Sequence, residues 1–166
     1  MLKWIGSILI LIAAGGIGFS KSYDMEKHLE ELEELKKLFY LLRSELQYSR
    51  IPFAEVFEKM ETKTVEPYQA WLQYLYQSLN EKRTGSFWKI WSQSIEEKLK
   101  HSRLKKQEME ELQNVVKNLE YMESFDLYIE QLEHRIKNTR EEYRSKRKIC
   151  QSMGIMGGIF LVIILL

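Results

Sequence analysis

The chain has 166 residues and a formal net charge of +1, from 25 lysine and arginine against 24 aspartate and glutamate side chains. This length suits a single domain, and the balanced charge argues against nucleic-acid binding through an overall basic surface. Apart from Lys3, every charged side chain lies within residues 21–148, so two apolar ends flank a polar middle. A single cysteine, Cys150, excludes an internal disulfide.

The N-terminal segment, residues 1–21, is predicted to be a transmembrane helix. Its apolar run lies between Lys3 and Lys21 and contains no other charged residue. A cleaved signal peptide is the alternative, because a lone lysine, an apolar run and small residues at 13–16 also occur in such peptides. The apolar run is longer than a usual signal core, which favours a retained helix.

Residues 22–148 show helical spacing of apolar side chains and no strand-like alternation, which predicts an all-α bundle of about six helices. The first helix is expected to end at Ile51-Pro52, because the residue before a proline avoids helical backbone. Further breaks are expected at Pro67, at Gly85 and near His101. The apolar faces predicted to form the core are Leu32, Leu35, Phe39, Leu42 and Leu46; Phe53, Val56, Phe57 and Met60; Tyr68, Trp71, Leu72, Leu75, Tyr76 and Leu79; Trp88, Trp91, Ile95 and Leu99; and Leu104, Met109, Leu112, Val115, Val116, Leu119 and Met122.

The last helix is predicted to run unbroken from the bundle into a second transmembrane helix, residues 149–166. This segment has no charged residue, and its length of about 27 Å approaches the roughly 30 Å hydrocarbon core of a bilayer. Basic residues near a span stay preferentially cytoplasmic, which predicts a cytoplasmic middle domain and an external C-terminus. The flanking basic residues are Arg144, Lys146, Arg147 and Lys148. The predicted seam of this helix is Phe125, Ile129, Leu132, Ile136, Thr139, Tyr143, Lys146 and Cys150.

Acidic residues follow the first predicted span, and basic residues precede the second. If the two long helices pack antiparallel, Glu30 and Glu33 are expected to pair with Arg140 and Arg144 and to set the register of the pair. The alternative is two solvated charge runs that never meet.

Small residues four positions apart occur in both predicted spans and allow two helices to approach closely. They are Ala14 and Gly18 in the first span, and Gly154 and Gly158 in the second. These residues predict packing of the two spans against each other, with chance placement as the alternative.

The sequence contains no constellation typical of catalysis or of a cofactor or metal site. His28, His101 and His134 are scattered, no cysteine pair has zinc spacing, and no phosphate-binding Gly-Lys-Ser/Thr occurs. We therefore expect a protein that is not an enzyme and that has neither a cofactor nor a metal.

The segment Glu45-Leu46-Gln47-Tyr48-Ser49-Arg50-Ile51-Pro52 resembles the signature of the stage III sporulation protein AB family: a glutamate, a tyrosine three later and a proline four after that. The likeness covers nearly the whole chain, including the opening Met-Leu-Lys and the terminal leucine run. Glu120 departs from it, because the family often has glycine there. Glu45, Tyr48 and Pro52 are expected to form a structural corner between the first two soluble helices, with direct partner contact as the alternative.

The resemblance implies a non-enzymatic membrane platform component of the channel between mother cell and forespore, required for sporulation and located in the mother-cell membrane. The family's soluble part is similar to the cytoplasmic domains of inner-membrane platform proteins of type II secretion and type IV pilus machines. The implied partners are a secretion-type ATPase resembling stage III sporulation protein AA and other membrane proteins of the channel. A homo-oligomer, a self-assembling coiled-coil scaffold and a membrane regulator that binds a small ligand stay open as alternatives.

Overall fold

The computed structural model describes residues 2–49, 51–81, 86–118 and 123–165, and side chains only within 22–149 and at Met156. The described residues contain helices and connections but no strand, and the six α-helices agree with the predicted all-α bundle. The helices are α1 (Leu2–Ser49), α2 (Phe53–Glu61), α3 (Tyr68–Asn80), α4 (Phe87–Lys98), α5 (Lys106–Val115) and α6 (Glu123–Leu165), with a 3-10 turn at Val116–Asn118.

The chain divides into two compact units. The bundle unit is Glu30–Ile136, and the terminal unit combines Met1–Leu29 with Lys137–Leu166. Within the part of the chain that the structure describes, no helical stretch combines the length and the apolar character needed to cross a membrane. The side chains of the segments 1–21 and 150–155 lie outside the described set, as do those of 157–166.

Prolines precede two of the helices of the bundle unit, as the sequence predicts. Helix α1 ends at Ser49, and α2 begins directly after Pro52, whose carbonyl accepts the Val56 N–H at 3.2 Å. Helix α3 begins directly after Pro67. Because proline has a fixed φ and no N–H to donate, it is tolerated where a helix starts and not inside it.

Helix α4 begins at Phe87, close to the break predicted at Gly85. Ser86 is the N-cap residue with an extended backbone, but its hydroxyl makes no capping hydrogen bond. Gly85, the predicted break before it, lies outside the described residues. The interruption expected near His101 is confirmed, because α4 ends at Lys98 and α5 begins at Lys106.

Aromatic rings form a continuous stack through the core of the bundle unit. The ring of Phe53 stacks on that of Phe87 at 5.1 Å between centroids, and Phe87 contacts Trp91 at 5.9 Å. Trp91 then meets Trp71 edge to face at 4.8 Å, and Trp71 meets Tyr68 at 6.3 Å. Each such pair adds about 0.5–1.5 kcal/mol to the stability that burial provides.

Hydrogen bonds satisfy the polar atoms of the two buried tryptophans. Trp71 Nε1 donates to Ser94 Oγ at 2.8 Å, and that hydroxyl donates to the Trp91 carbonyl at 2.6 Å. Trp91 Nε1 donates to the carbonyl of Leu112 at 2.9 Å, which joins α4 to α5. Burial of an indole N–H without an acceptor is costly, and these two bonds remove that cost at both tryptophans.

Most of the predicted core is confirmed. The buried members are Leu32, Leu35, Phe39, Leu42, Val56, Phe57, Met60, Tyr68, Trp71, Leu72, Leu75, Trp91, Ile95, Leu99, Leu104, Leu112, Val115, Val116, Phe125, Ile129, Leu132 and Ile136. The predicted residues that are only half-buried are Leu46, Phe53, Tyr76, Leu79 and Met109. Leu119 and Met122 lie outside the described residues.

The prediction that α4 buries Trp88 is wrong. Trp88 is 42% exposed, and the Lys117 ammonium lies over its ring at 5.5 Å from the centroid. The buried face of α4 includes Ile90, Trp91 and Ser94. At about 100° per residue, the centre of that face is roughly a quarter turn away from Trp88. The prediction passed over Ser94 because serine is polar, and this omission rotated the predicted face.

The predicted seam of α6 is correct only in its first part. Its residues are buried as far as Thr139, Tyr143 is half-buried, and Lys146 is exposed, contrary to the prediction. The Lys146 ammonium instead hydrogen-bonds the Glu142 carboxylate on its own helix, since a charged group is costly to bury without a partner. The side chain of Cys150 lies outside the described residues.

Candidate functional site

The predicted corner between α1 and α2 is linked by Glu45. Its carboxylate lies 2.6 Å from the Lys59 ammonium and 3.9 Å from that of Lys63. Lys59 is in the last turn of α2 and Lys63 is in the turn that follows, while the Glu45 side chain is only 15% exposed. Glu45 thus joins α1 to α2, and the corner role of the whole motif stays a prediction.

Tyr48 and Pro52 are exposed, whereas Glu45 is largely buried. Tyr48, one turn later on α1, is 79% exposed, and Pro52 is exposed as well. A tyrosine ring with most of its surface in water contributes little to the packing of its own chain. The motif therefore combines an interhelical ion pair with an aromatic side chain that is accessible to a partner, and the choice between corner and contact stays open for Tyr48.

The four residues expected to pair across the long helices fall in different units. Glu30 and Glu33 belong to the bundle unit, whereas Arg140 and Arg144 belong to the terminal unit. Their mutual pairing stays a prediction.

Within the bundle unit, α1 and α6 are joined by contacts that the sequence reasoning missed. Arg43 Nε lies 2.6 Å from an Asp126 carboxylate oxygen, and the Tyr40 hydroxyl donates to Glu133 at 2.9 Å. The Arg43–Asp126 ion pair has the opposite polarity to the predicted ones, with the cation on α1 and the anion on α6. The prediction considered only the acidic residues that follow the first predicted span and the basic residues that precede the second. A comparison of the charges farther along the two helices could have found the Arg43–Asp126 pair.

The basic residues predicted to flank the second span are all exposed on α6 within the terminal unit. They are Arg144, Lys146, Arg147 and Lys148. In the same unit, the Tyr143 hydroxyl donates to Glu26 at 3.3 Å and so connects α6 to α1. The side chains of Ala14, Gly18, Gly154 and Gly158 lie outside the described set, and the predicted packing of the spans stays a prediction.

A polar cluster between α5 and α6, with one fully buried carboxylate, was not predicted at all. The Arg135 guanidinium makes hydrogen bonds of 2.6 and 2.7 Å to the two carboxylate oxygens of Glu111 and lies 3.7 Å from Glu108. Glu108 is only 1% exposed, and its other oxygen accepts the Lys105 backbone N–H at the start of α5 at 2.7 Å. Glutamate at the third helical position is a recognisable capping signal, and it could have marked Glu108.

A second unpredicted contact joins α1 to the segment before α5. A carboxylate oxygen of Glu31 accepts the Arg103 backbone N–H at 2.8 Å. The Glu31 carbonyl also accepts the Tyr68 hydroxyl at 3.3 Å. Glu31 therefore holds both α3 and the α4–α5 connection against α1.

Two buried tyrosines border these carboxylates. Burial raises the pKa of the Tyr68 hydroxyl well above its ordinary value of 10.0, and the nearby Glu31 raises it further. Burial likewise raises the pKa of the Tyr128 hydroxyl, with Glu111 as the next cause. Both phenols therefore resist ionisation more strongly than an exposed tyrosine does.

The described side chains include no group of three or more histidine, cysteine, aspartate or glutamate residues that could hold a metal ion. The buried carboxylates instead serve as helix caps and partners of Arg135. This arrangement stabilises helix packing.

Comparison with known proteins agrees with the resemblance. The family model described as stage III sporulation protein AB matches residues 3–166. The stage III sporulation protein AB of Bacillus subtilis (strain 168) is 21% identical over 172 residues, with 100% of both chains covered. No solved structure matches. Because the family match extends over nearly the whole sequence, the chain belongs to the stage III sporulation protein AB family, which implies a role in sporulation.

Proposed function

We propose that the protein is a non-catalytic membrane platform of the secretion-like channel between mother cell and forespore. In this role, the helical middle binds a cytoplasmic ATPase of the secretion type and couples it to other membrane proteins of the channel. Family membership supports the sporulation role. The observation that carries the platform role is that α1 and α6 each run as one helix from the bundle into an uncharged terminal segment.

The composition of those segments supports membrane anchoring at both ends. Residues 4–19 and 149–166 contain no charged side chain, and an exposed basic cluster precedes the second segment. Basic residues beside a span stay preferentially on the cytoplasmic side. The middle domain then lies in the mother-cell cytoplasm, where an ATPase can reach it, and the C-terminus lies on the opposite side of the membrane.

The corner between α1 and α2 is the surface that we assign to the ATPase. Tyr48 is 79% exposed, yet the ion pair of Glu45 with Lys59 holds the adjacent helix turn in place. Tyrosine on a preorganised surface loses little conformational entropy on binding, and it is enriched among the residues that dominate interface energetics. The exposed Pro52 adds a rigid apolar neighbour to the same corner.

The test is co-purification of the full-length chain, in mild detergent, with the sporulation ATPase. Tyr48→Ala is expected to weaken binding by about 2 kcal/mol, or roughly thirtyfold, while leaving the unfolding temperature unchanged. Tyr23→Ala is the matched control, because Tyr23 is another exposed tyrosine on α1 but lies in the terminal unit. Equal binding by the two variants would move the contact away from the corner.

Charge reversals test the alternative surfaces. Glu30→Lys with Glu33→Lys, and Arg140→Glu with Arg144→Glu, are expected to leave the affinity within about threefold if the corner carries the contact. A larger loss would assign the ATPase to the charged segments. No association of the unaltered chain at micromolar concentrations, or ATP hydrolysis by the chain alone, would contradict the platform role altogether.

A further inference from the structure

An exposed basic cluster lies on α6 directly before its uncharged terminal segment. We define the juxtamembrane basic cluster as Arg144, Lys146, Arg147 and Lys148, all of which are exposed. Lys146 is bonded to Glu142 on the same helix. Among the described side chains, Arg144 and Arg147 make no ion pair. Arg144 and Arg147 thus present their charges to the surroundings rather than to an acidic side chain.

We propose that the juxtamembrane basic cluster binds the headgroups of anionic phospholipids such as phosphatidylglycerol. This inference rests on the proposed membrane anchoring and adds a chemical preference to it. The tendency of basic residues to stay cytoplasmic sets only the orientation of a span and requires no contact with a particular lipid. Binding of anionic headgroups would make the position of the platform depend on the composition of the bilayer.

The helix geometry places only part of the basic region near a bilayer surface. With a rise of about 1.5 Å per residue, Arg144 lies about 7.5 Å along the axis from Ile149, where the apolar segment begins. This distance is within the Debye length of about 8 Å at physiological salt. Lys137 lies about 18 Å from Ile149 by the same rise and is therefore screened from the headgroups.

The spacing of three cations also favours contact with one surface. Arg144, Arg147 and Lys148 fall within an arc of about 100° around the helix, at 3.6 residues per turn. Thr139 is buried and Tyr143 is half-buried, so these two residues mark the packed face of the helix. The arc that carries the cations is centred to one side of that face. The long apolar stems of arginine and lysine can extend along the helix toward the headgroups while the charges stay in water.

The segment that carries the cluster has more basic than acidic side chains. Residues 137–148 contain six basic and two acidic side chains, whereas residues 21–29 contain two of each. The facing segment of α1 thus contributes no net negative charge, and the excess of the basic segment is four positive charges. Each lysine or arginine near an anionic bilayer surface favours binding by a factor of about five.

The single cysteine of the chain gives a direct assay. Cys150 lies two residues beyond Lys148, so a fluorophore attached to it in the full-length protein reports on the lipid at that position. The protein is reconstituted in phosphatidylcholine vesicles that contain about one fifth phosphatidylglycerol. Quenching is then compared between headgroup-spin-labelled phosphatidylglycerol and equally labelled phosphatidylcholine. We expect a preference of about fivefold or more for the anionic quencher, which falls toward parity in 1 M salt, where the Debye length is about 3 Å.

Substitution identifies the residues responsible. The triple variant Arg144→Gln, Arg147→Gln and Lys148→Gln is expected to bring the preference close to parity. A matched control, Lys89→Gln, Lys100→Gln and Lys106→Gln, removes the same charge from exposed positions of the bundle unit and is expected to retain the preference.

Three outcomes would contradict the inference, and they are distinguishable. Equal quenching by the two lipids in the unaltered chain overturns the lipid preference but leaves membrane anchoring intact. A preference that survives the triple substitution assigns it to other residues and overturns the role of the cluster. Quenching by neither lipid means that residue 150 is not at a bilayer, and this result contradicts the anchoring itself.

Discussion

Ser94→Ala tests whether the hydrogen bonds of the buried tryptophans set the packing of α4 in the bundle unit. The Ser94 side chain is fully buried, accepts the Trp71 indole N–H at 2.8 Å and donates to the Trp91 carbonyl at 2.6 Å. Alanine preserves the volume apart from one oxygen, but it leaves the Trp71 donor buried without this acceptor. The expected loss is about 1–3 kcal/mol in the free energy of unfolding, which is the cost of one unsatisfied buried group.

The same helix offers a matched control. The Ser92 hydroxyl oxygen is also buried, but it has no hydrogen-bond partner among the described residues. Ser92→Ala is therefore expected to change the free energy of unfolding by less than about 0.5 kcal/mol or to increase it slightly, since alanine also favours helix. The two variants differ only in which serine of α4 loses its oxygen.

The assay is unfolding of the full-length chain in mild detergent, followed by far-ultraviolet circular dichroism. For a unit of about 100 residues, each kcal/mol shifts the melting temperature by roughly 4–8 °C, so Ser94→Ala is expected to lower it by about 5–20 °C. Urea titration should show a lower midpoint with an unchanged slope, because the surface exposed on unfolding is the same. Equal effects of the two serine substitutions would refute the reasoning.

Two further predictions concern buried ionisable groups. The pKa values of Tyr68 and Tyr128 are raised above 10.0 in the folded state. The folded protein therefore keeps both phenols neutral at a pH where the unfolded chain ionises them. Stability is full below pH 10.0 and is lost as the pH rises toward the folded pKa values. Urea unfolding above about pH 10 should show a free energy of unfolding that falls as the pH rises, by at most about 1.4 kcal/mol per pH unit for each tyrosine, and an undiminished slope in Tyr128→Phe would contradict the assignment. Arg135→Met removes the cation beside the buried Glu108 and is expected to lower the free energy of unfolding by about 3 kcal/mol. Arg43→Met breaks an exposed ion pair and should lower it by less than about 1 kcal/mol in the same measurement. Similar losses in the two arginine variants would mean that the α5–α6 cluster is no more important than a surface ion pair.

The helix boundaries were predictable because they follow from local chemistry. Pro52 and Pro67 impose their backbone constraints whatever the rest of the chain does, and both stand directly before a helix. Apolar spacing likewise identified most of the core, because a side chain's direction around a helix depends only on its position in the sequence. The corner motif, by contrast, was identified from its resemblance to the family signature and not from helical spacing.

The missed contacts are those in which polar residues are buried by partners distant in the chain. Ser94 is buried because Trp71, on another helix, supplies a donor, and Glu108 is buried close to the cation Arg135. No local pattern identifies Ser94, and the capping position of Glu108 indicates a helix start rather than burial. The burial of each depends on a partner more than twenty residues away. The misassignment of Trp88 has the same origin, since the face of α4 that is buried includes a serine.

The sequence by itself therefore determined the helical class, the breaks between helices, the apolar ends and the family. Each of these follows from backbone constraints, side-chain periodicity or hydropathy, which act over a few residues. Only the tertiary structure decided which carboxylates are buried, which serine carries the tryptophan network and which member of the corner motif is exposed. Those outcomes depend on which helix faces meet, because the cost of burying a polar group is offset only when its partner arrives from another part of the chain.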